Sequence, residues 1–166
     1  MSFQKMKASI VNAYDRNVQV VRMKALTSDG HLIIGDHYNE KRKIPVLSGQ
    51  SGIGKTACVK EFAAEKDFEI VNLNCSYMPS STLATFMYSE SCRISADQIK
   101  GCVILIYNID EADGQWLELF DQYSSNYFDA PVNIEDETDH GRIIKSRHRI
   151  EEIPEGLFLI GEQRPS

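Results

Sequence analysis

The sequence predicts an α/β fold with a mainly parallel sheet flanked by helices in a three-layer arrangement. Short apolar segments of strand type alternate along the chain with amphipathic segments of helical period. One of the strand segments, CVILIYNI at 102–109, is almost unbroken in apolar character, as expected of a strand buried on both faces of a parallel sheet. Parallel strands joined through helices imply right-handed crossovers.

The individual elements follow from the same periodicities. Apolar residues three and four positions apart predict an N-terminal helix within 1–24, with one buried stripe made of Phe3, Met6, Ile10, Val11, Tyr14, Val18 and Val21. Residues 27–43 are expected to form a loop or short hairpin. Strands are predicted at 44–48, 68–75, 102–109 and 157–161, helices at 56–67, 79–92 and 113–128, and a hairpin or loop insertion at 130–150.

Composition limits the class of protein. A chain of 166 residues with 42% hydrophobic content suits a single domain spanning 1–166. The formal net charge of -6 argues against a surface generally covered in Lys and Arg for nucleic-acid binding. The four cysteines are widely spaced, without a C-x-x-C pair, and no long apolar run or signal peptide is present. We therefore expect a cytoplasmic protein without a disulfide framework.

A glycine-rich segment at 49–56, GQSGIGKT, matches the phosphate-binding pattern G-x-x-x-x-G-K-[ST] and lies between a predicted strand and a predicted helix. Backbone N–H groups of such a loop point at phosphates, Lys55 would reach the β and γ phosphates, and Thr56 would hold Mg²⁺. The alternative is a glycine-rich turn without a ligand. The expected binding residues for ATP are Gly49, Gln50, Ser51, Gly52, Ile53, Gly54, Lys55, Thr56 and Ala57.

An acidic pair follows the buried strand, at the edge where open α/β sheets bind ligands. Asp110 would hold Mg²⁺, and Glu111 would orient or deprotonate the attacking water. Alternatively, Asp110 caps the following helix and Glu111 faces solvent.

With both motifs placed, the chain resembles the core of the AAA+ ATPases, which are P-loop NTPases, and most of all their MoxR and dynein-related branch. The resemblance runs from about residue 43 to 165. The segment IPEGLFLIGEQRP is similar to the branch's "lPegFxviATqNP", whose strand carries a polar sensor residue for the γ-phosphate and the attacking water. Here Arg164 stands where the branch has Asn, preceded by Gln163, and Glu162 replaces a small polar residue.

The resemblance also implies parts beyond Ser166, namely an arginine finger and a helical lid with a second sensor arginine. An arginine finger contributes about 10³ or more in rate. We therefore expect Mg²⁺-dependent ATP hydrolysis that is weak in this chain alone and dependent on oligomerisation or a partner ATPase subunit, with Glu111, Lys55, Gln163 and Arg164 as catalytic residues.

A basic cluster lies in the predicted insertion, at Arg142, Lys145, Arg147 and Arg149. It could contact a protein or nucleic-acid substrate, or it could be a solvated hairpin whose charge is compensated by the acidic residues before it.

Two other functions remain open. A small P-loop kinase, such as a nucleotide kinase, would fit the size of the chain. A degenerate AAA+ module that docks on another ATPase would fit the altered sensor, and compact forms of that type would suit a viral genome.

Overall fold

The computed structural model of the chain describes residues 2–28, 41–49, 54–135 and 143–163. The helices are α1 (Phe3–Ser28), α2 (Lys55–Lys66), α3 (Ser80–Ser95) and α4 (Gly114–Ser124), and the strands are β1 (Val46–Ser48), β2 (Glu69–Asn74), β3 (Cys102–Tyr107), β4 (Tyr127–Glu135), β5 (Ile143–Glu151) and β6 (Leu157–Gln163). Most of the predicted loop at 27–43 lies outside the described residues.

Among the described residues, the main sheet has four parallel strands in the order β1-β6-β3-β2. β6, the last of these strands in the chain, therefore lies between β1 and β3, and it brings the end of the described chain beside the glycine-rich loop. β4 and β5 form a separate antiparallel pair, from Tyr127 opposite Glu151 to Glu135 opposite Ile143. The predicted α/β class with a mainly parallel sheet is confirmed, and the region predicted as an insertion is a hairpin slightly longer than 130–150.

Each face of the main sheet carries its own apolar cluster, because successive residues of a strand point to opposite faces. In β3, Val103 and Leu105 pack with side chains of α1 and α2, whereas Ile104 and Ile106 pack with side chains of α3 and α4. All four side chains are almost completely buried. The sheet is thus the middle of three layers, as predicted.

α1 differs from its prediction in length and in its buried row. The helix runs to Ser28 instead of ending near residue 24. Its buried positions include Met6, Ile10 and Tyr14 as predicted, but Phe3 is 39% exposed and Asn17 is buried. The Asn17 amide explains its burial, since it donates to the carbonyl of Lys43 and accepts from its N–H, both at 2.8 Å. α1 therefore fixes the backbone that leads into β1.

Arg42 anchors the same segment from the other side. Its guanidinium is buried and donates to the backbone carbonyls of Ile153, Pro154 and Leu157, and it lies 5.2 Å from the centre of the Tyr123 ring. Burial lowers the pKa of this arginine. These carbonyls lie in the turn before β6 and at the first residue of that strand. Arg42 therefore joins the entry to β1 with the start of β6.

Among the helices that the structure describes, none combines the length and the apolar character needed to cross a membrane.

Candidate nucleotide-binding site

Glycines stand at both described ends of the predicted phosphate loop. Gly49 follows β1 with φ 138°, and Gly54 precedes α2 with φ 89° and ψ 20°. Positive φ values of this kind favour glycine, so the chain uses its glycines where the loop leaves the strand and enters the helix. Gln50, Ser51, Gly52 and Ile53 lie outside the described residues.

Lys55 is the first residue of α2 and is 7% exposed. Its ammonium donates to the carbonyl of Gly49 at 2.7 Å, across the mouth of the loop, and makes a longer contact of 3.5 Å with the carbonyl of Gln163. It also forms an ion pair with Glu162, with 3.4 Å between Nζ and Oε1. The lysine predicted to bind phosphate thus lies at the carboxyl edge of the sheet, among oxygen acceptors.

The first turn of α2 adds backbone donors beside that lysine. The N–H of Cys58 donates to the carbonyl of Gly54 at 2.9 Å, so the N–H groups of Lys55, Thr56 and Ala57 precede the first hydrogen bond of the helix. Free N–H groups and the helix dipole attract anions at a helix N-terminus. The arrangement suits a phosphate group, as the motif predicts.

The acidic pair lies in a different local structure from the one predicted. β3 ends at Tyr107, and Asn108 adopts a left-handed conformation with φ 55°. Asp110 and Glu111 then fall in a one-turn 3₁₀ helix, Ile109–Glu111, and both are exposed. The prediction of a strand through residue 109 is wrong, because the left-handed residue turns the chain away from the sheet. We call residues 108–111 the acidic turn.

A network of polar side chains holds the acidic turn against β2. The hydroxyl of Ser76 donates to the Glu111 carboxylate. The Asn108 amide donates to the Ser76 hydroxyl at 2.9 Å and to the Asn74 side-chain oxygen at 3.0 Å. These partners were not predicted from the sequence, although Asn and Ser at strand ends are common turn residues. The network fixes the direction of the Glu111 carboxylate.

Helix capping is performed by a neighbour of the acidic pair. The Asp113 carboxylate accepts from the N–H groups of Gln115 and Trp116, at 3.0 and 3.1 Å, at the start of α4. The alternative in which Asp110 caps this helix is therefore wrong, and Asp110 keeps its carboxylate for other partners.

Gly161 of β6 supports the acidic turn from beneath. An added Cβ at this position would lie 2.4 Å from Cδ1 of Ile109. Since β6 pairs Gly161 with Ile106 of β3, the missing side chain leaves the space into which Ile109 packs. The sequence contains this signal only as a glycine inside an apolar strand.

The described residues show no cluster of three or more metal-binding His, Cys, Asp or Glu side chains. The Asp110 carboxylate and the Thr56 hydroxyl are nevertheless oxygen ligands of the kind that Mg²⁺ prefers, together with water and phosphate oxygens.

The negative charge at this edge also affects Cys75, directly after β2. Its pKa rises to about 11, mainly through burial and also through Asp113, Glu111 and Asp110.

Gln163, one of the two predicted sensor residues, is the last residue of β6, but the side chain that meets Lys55 is that of Glu162. Glu162 forms the ion pair, whereas Gln163 contacts the lysine through its carbonyl. Arg164 lies outside the described residues. We did not predict a role for Glu162, although its departure from the related pattern was visible in the sequence.

The basic cluster falls on β5 of the hairpin. Lys145, Arg147 and Arg149 occupy alternate positions of that strand, paired with Asn133, Pro131 and Asp129 of β4. Arg142 lies outside the described residues.

Comparison with known families agrees with this geometry. The model of the ATPase family associated with various cellular activities (AAA) matches residues 45–155, about two thirds of the chain. The chain belongs to this family. The matched region contains the glycine-rich loop, the acidic turn and the hairpin, and it makes the protein an ATP-binding protein of the AAA type. A comparison with curated proteins found no significant match.

Proposed function

We propose that the chain binds ATP with Mg²⁺ and hydrolyses it as an AAA-type ATPase. The observation that carries the proposal is the position of Lys55. Its ammonium is buried at the N-terminus of α2 and at the carboxyl edge of a parallel sheet, beside the Gly49 end of the glycine-rich loop. Both features favour the polyphosphate of a nucleotide.

The remaining roles follow from the chemistry of the residues around that lysine. The backbone from Gly49 to Ala57 would surround the phosphates, and Thr56 and Asp110 would hold the metal. Bound Mg²⁺ would neutralise charge that develops on the phosphates. Glu111 would orient or deprotonate the attacking water. Its hydrogen bond from Ser76 supports this role, because a carboxylate that is already held in place loses less conformational freedom when it aligns with the water.

We further propose that hydrolysis by the isolated chain is slow and is raised by oligomerisation or by a partner ATPase subunit. Support comes from Lys55, which is already engaged with Glu162 and must be released before phosphate can bind. An arginine finger from a neighbouring subunit would supply positive charge to the transition state. The likeness of residues 153–165 to the MoxR and dynein-related branch supports a role in a ring of this type.

The hairpin of β4 and β5 is the segment that we assign to partner contacts, through Arg142, Lys145, Arg147 and Arg149. A basic strand would suit an acidic protein segment or a nucleic acid. We propose a cytoplasmic location for this activity, as expected from the widely spaced cysteines. AAA membership favours hydrolysis over phosphate transfer to a small molecule, so we do not pursue the kinase alternative.

The first arm of the test replaces Lys55. Lys55→Ala should weaken ATP binding by at least about tenfold, since a hydrogen bond to a charged group contributes about 1.5–3 kcal/mol. Lys60→Ala, on the exposed face of α2, is the matched control. Because Lys55→Ala leaves Glu162 without its cation, the double variant with Glu162→Gln should be measured as well. Equal ATP affinity in the parent and both Lys55 variants would reject the assigned phosphate site.

The second arm replaces Glu111. Glu111→Gln should keep ATP binding and lower phosphate release by about 10²-fold or more, because general-base catalysis typically contributes about 10²–10⁴. Glu118→Gln, exposed on α4, controls for the change in net charge. Phosphate release should be measured at increasing protein concentration. If the parent binds ATP without any release at any concentration, the non-catalytic module is the better function.

A further inference from the structure

We propose that Glu162 sets the nucleotide affinity of this site, as an internal anion that competes with phosphate for Lys55. The inference rests on the proposed function, since it requires Lys55 to bind the phosphates of ATP.

The strand register explains why this carboxylate reaches the lysine. Glu162 lies in the row of β6 that continues from Phe158 and Ile160, on the face of the sheet covered by α1 and α2. It is paired with Leu47 of β1, so it lies directly beside the strand that leads into the glycine-rich loop. α2 begins with Lys55 on this same face. The two side chains therefore meet where β6 ends and α2 begins.

Burial makes the contact strong enough to matter. The side chains of Lys55 and Glu162 are 7% and 16% exposed, and Nζ lies 3.4 Å from Oε1. An ion pair so removed from solvent is weakly screened by salt, unlike exposed pairs. Lys55 is thus already paired with an anion before any phosphate arrives.

The second carboxylate oxygen points to the same conclusion. Oε2 of Glu162 is buried and has no hydrogen-bond partner among the described residues. A buried, incompletely satisfied carboxylate is costly, so the ammonium is the group that keeps it in place. When phosphate takes over the ammonium, the carboxylate must either move into solvent or remain beside another negative charge. Both outcomes weaken nucleotide binding, because the first gives up the ion pair with Lys55 and the second places two negative charges side by side.

A neutral residue at this position would avoid that competition. Gln is nearly the same size as Glu and can still accept a hydrogen bond from Lys55, but it carries no charge to repel a phosphate. We expect Glu162→Gln to lower the Kd for ATP in the presence of Mg²⁺ by about tenfold or more. In the protein without nucleotide, the same change should lower the Tm slightly, because Lys55 loses its counter-ion.

The experiment measures the Kd for ATP with Mg²⁺ by titration calorimetry, with ATP-induced Tm shifts as an independent readout. The parent chain is compared with Glu162→Gln and with Glu118→Gln, which makes the same change in net charge on exposed α4. Glu162→Thr provides a second neutral variant in case the first folds poorly. Tighter binding in the Glu162 variants, with the Glu118 variant unchanged, supports competition for Lys55.

Three results would overturn the inference. Equal affinity in the parent and the folded Glu162 variants would show that the ion pair opens without cost, and the proposed function would survive. Weaker binding in those variants would mean that the carboxylate assists the ligand instead of competing with it. Absence of ATP binding in every variant, including those designed to bind better, would reject the proposed function as well.

Discussion

Replacing Gly161 by alanine tests how β6 supports the acidic turn. The new Cβ would lie 2.4 Å from Cδ1 of Ile109, 3.1 Å from its Cγ2 and 3.3 Å from its Cβ. Carbon atoms pack best at about 3.5–4.0 Å, so Ile109 must retreat by about 1 Å. The crowded atoms belong to a half-buried side chain, which can relieve part of the strain. We expect the free energy of unfolding to fall by about 1–2 kcal/mol.

Urea denaturation of five proteins measures this effect and isolates its cause: the parent, Gly161→Ala, Ile109→Val, the double variant and one control. Ile109→Val removes Cδ1, the atom with the closest contact, at a cost of about 0.5–1.5 kcal/mol by itself. In that background, Gly161→Ala should cost about half as much or less, and the difference is the coupling between the two positions. Gly114→Ala is the matched control, because its added Cβ meets nothing within 4 Å and it lies at the start of α4.

The same variants connect packing with the proposed chemistry. Ile109 begins the 3₁₀ helix that contains Asp110 and Glu111, so its displacement should move both carboxylates. Gly161→Ala should therefore reduce ATP turnover more than ATP binding, and Ile109→Val should restore part of the turnover. If Gly161→Ala costs no more than Gly114→Ala, or if Ile109→Val does not reduce its cost, the steric reasoning is refuted.

Two further predictions concern other parts of the chain. Arg93 donates to the buried carboxylate of Glu90 at 2.8 Å, so Arg93→Ala should lower the free energy of unfolding, because it leaves that carboxylate buried without its cation. In a Glu90→Gln background, denaturation should show a smaller loss, and an equal loss would exclude the charge as its cause. The pKa of Cys75 is raised from 9.0 to about 11, which lowers its thiolate fraction at pH 8 by about 100-fold, whereas Cys92 is exposed. Mass spectrometry after brief iodoacetamide treatment should find Cys92 alkylated first, and comparable labelling of Cys75 would contradict its assigned burial.

The arrangement of strands and helices was predictable because it depends on local periodicity. The run at 102–106 has apolar side chains on both faces, and both faces can be buried only in the middle of a sheet. The amphipathic segments on either side have one apolar face to bury. The glycine-rich loop was predictable for a similar reason. Gly49 and Gly54 stand where the backbone has positive φ, and Lys55 follows directly after the second of them.

The end of β3 was harder to predict, because the competing conformations of one residue decide it. Asn108 lies within an apolar run that could continue as a strand, but Asn adopts the left-handed conformation more easily than most residues. Once it does so, Ile109 can pack over Gly161, a contact between residues 52 positions apart in the sequence. No local pattern contains that contact, so the position of Asp110 and Glu111 could not be derived from the strand alone.

The ion pair between Lys55 and Glu162 depends on contacts between segments that are still further apart in the sequence. It requires β6 to lie next to β1, which is a property of the strand order, and it requires Glu162 to fall on the α2 face of its strand. A shift of one residue in the register would bring Gln163 to that face and leave Lys55 beside a neutral amide. The charge that the lysine meets, and with it the phosphate affinity that we propose for the site, thus depends on the pairing of two strands that are remote in sequence. Phosphate affinity in this protein should respond to mutations that alter the register of β6, even when every residue of the glycine-rich loop is unchanged.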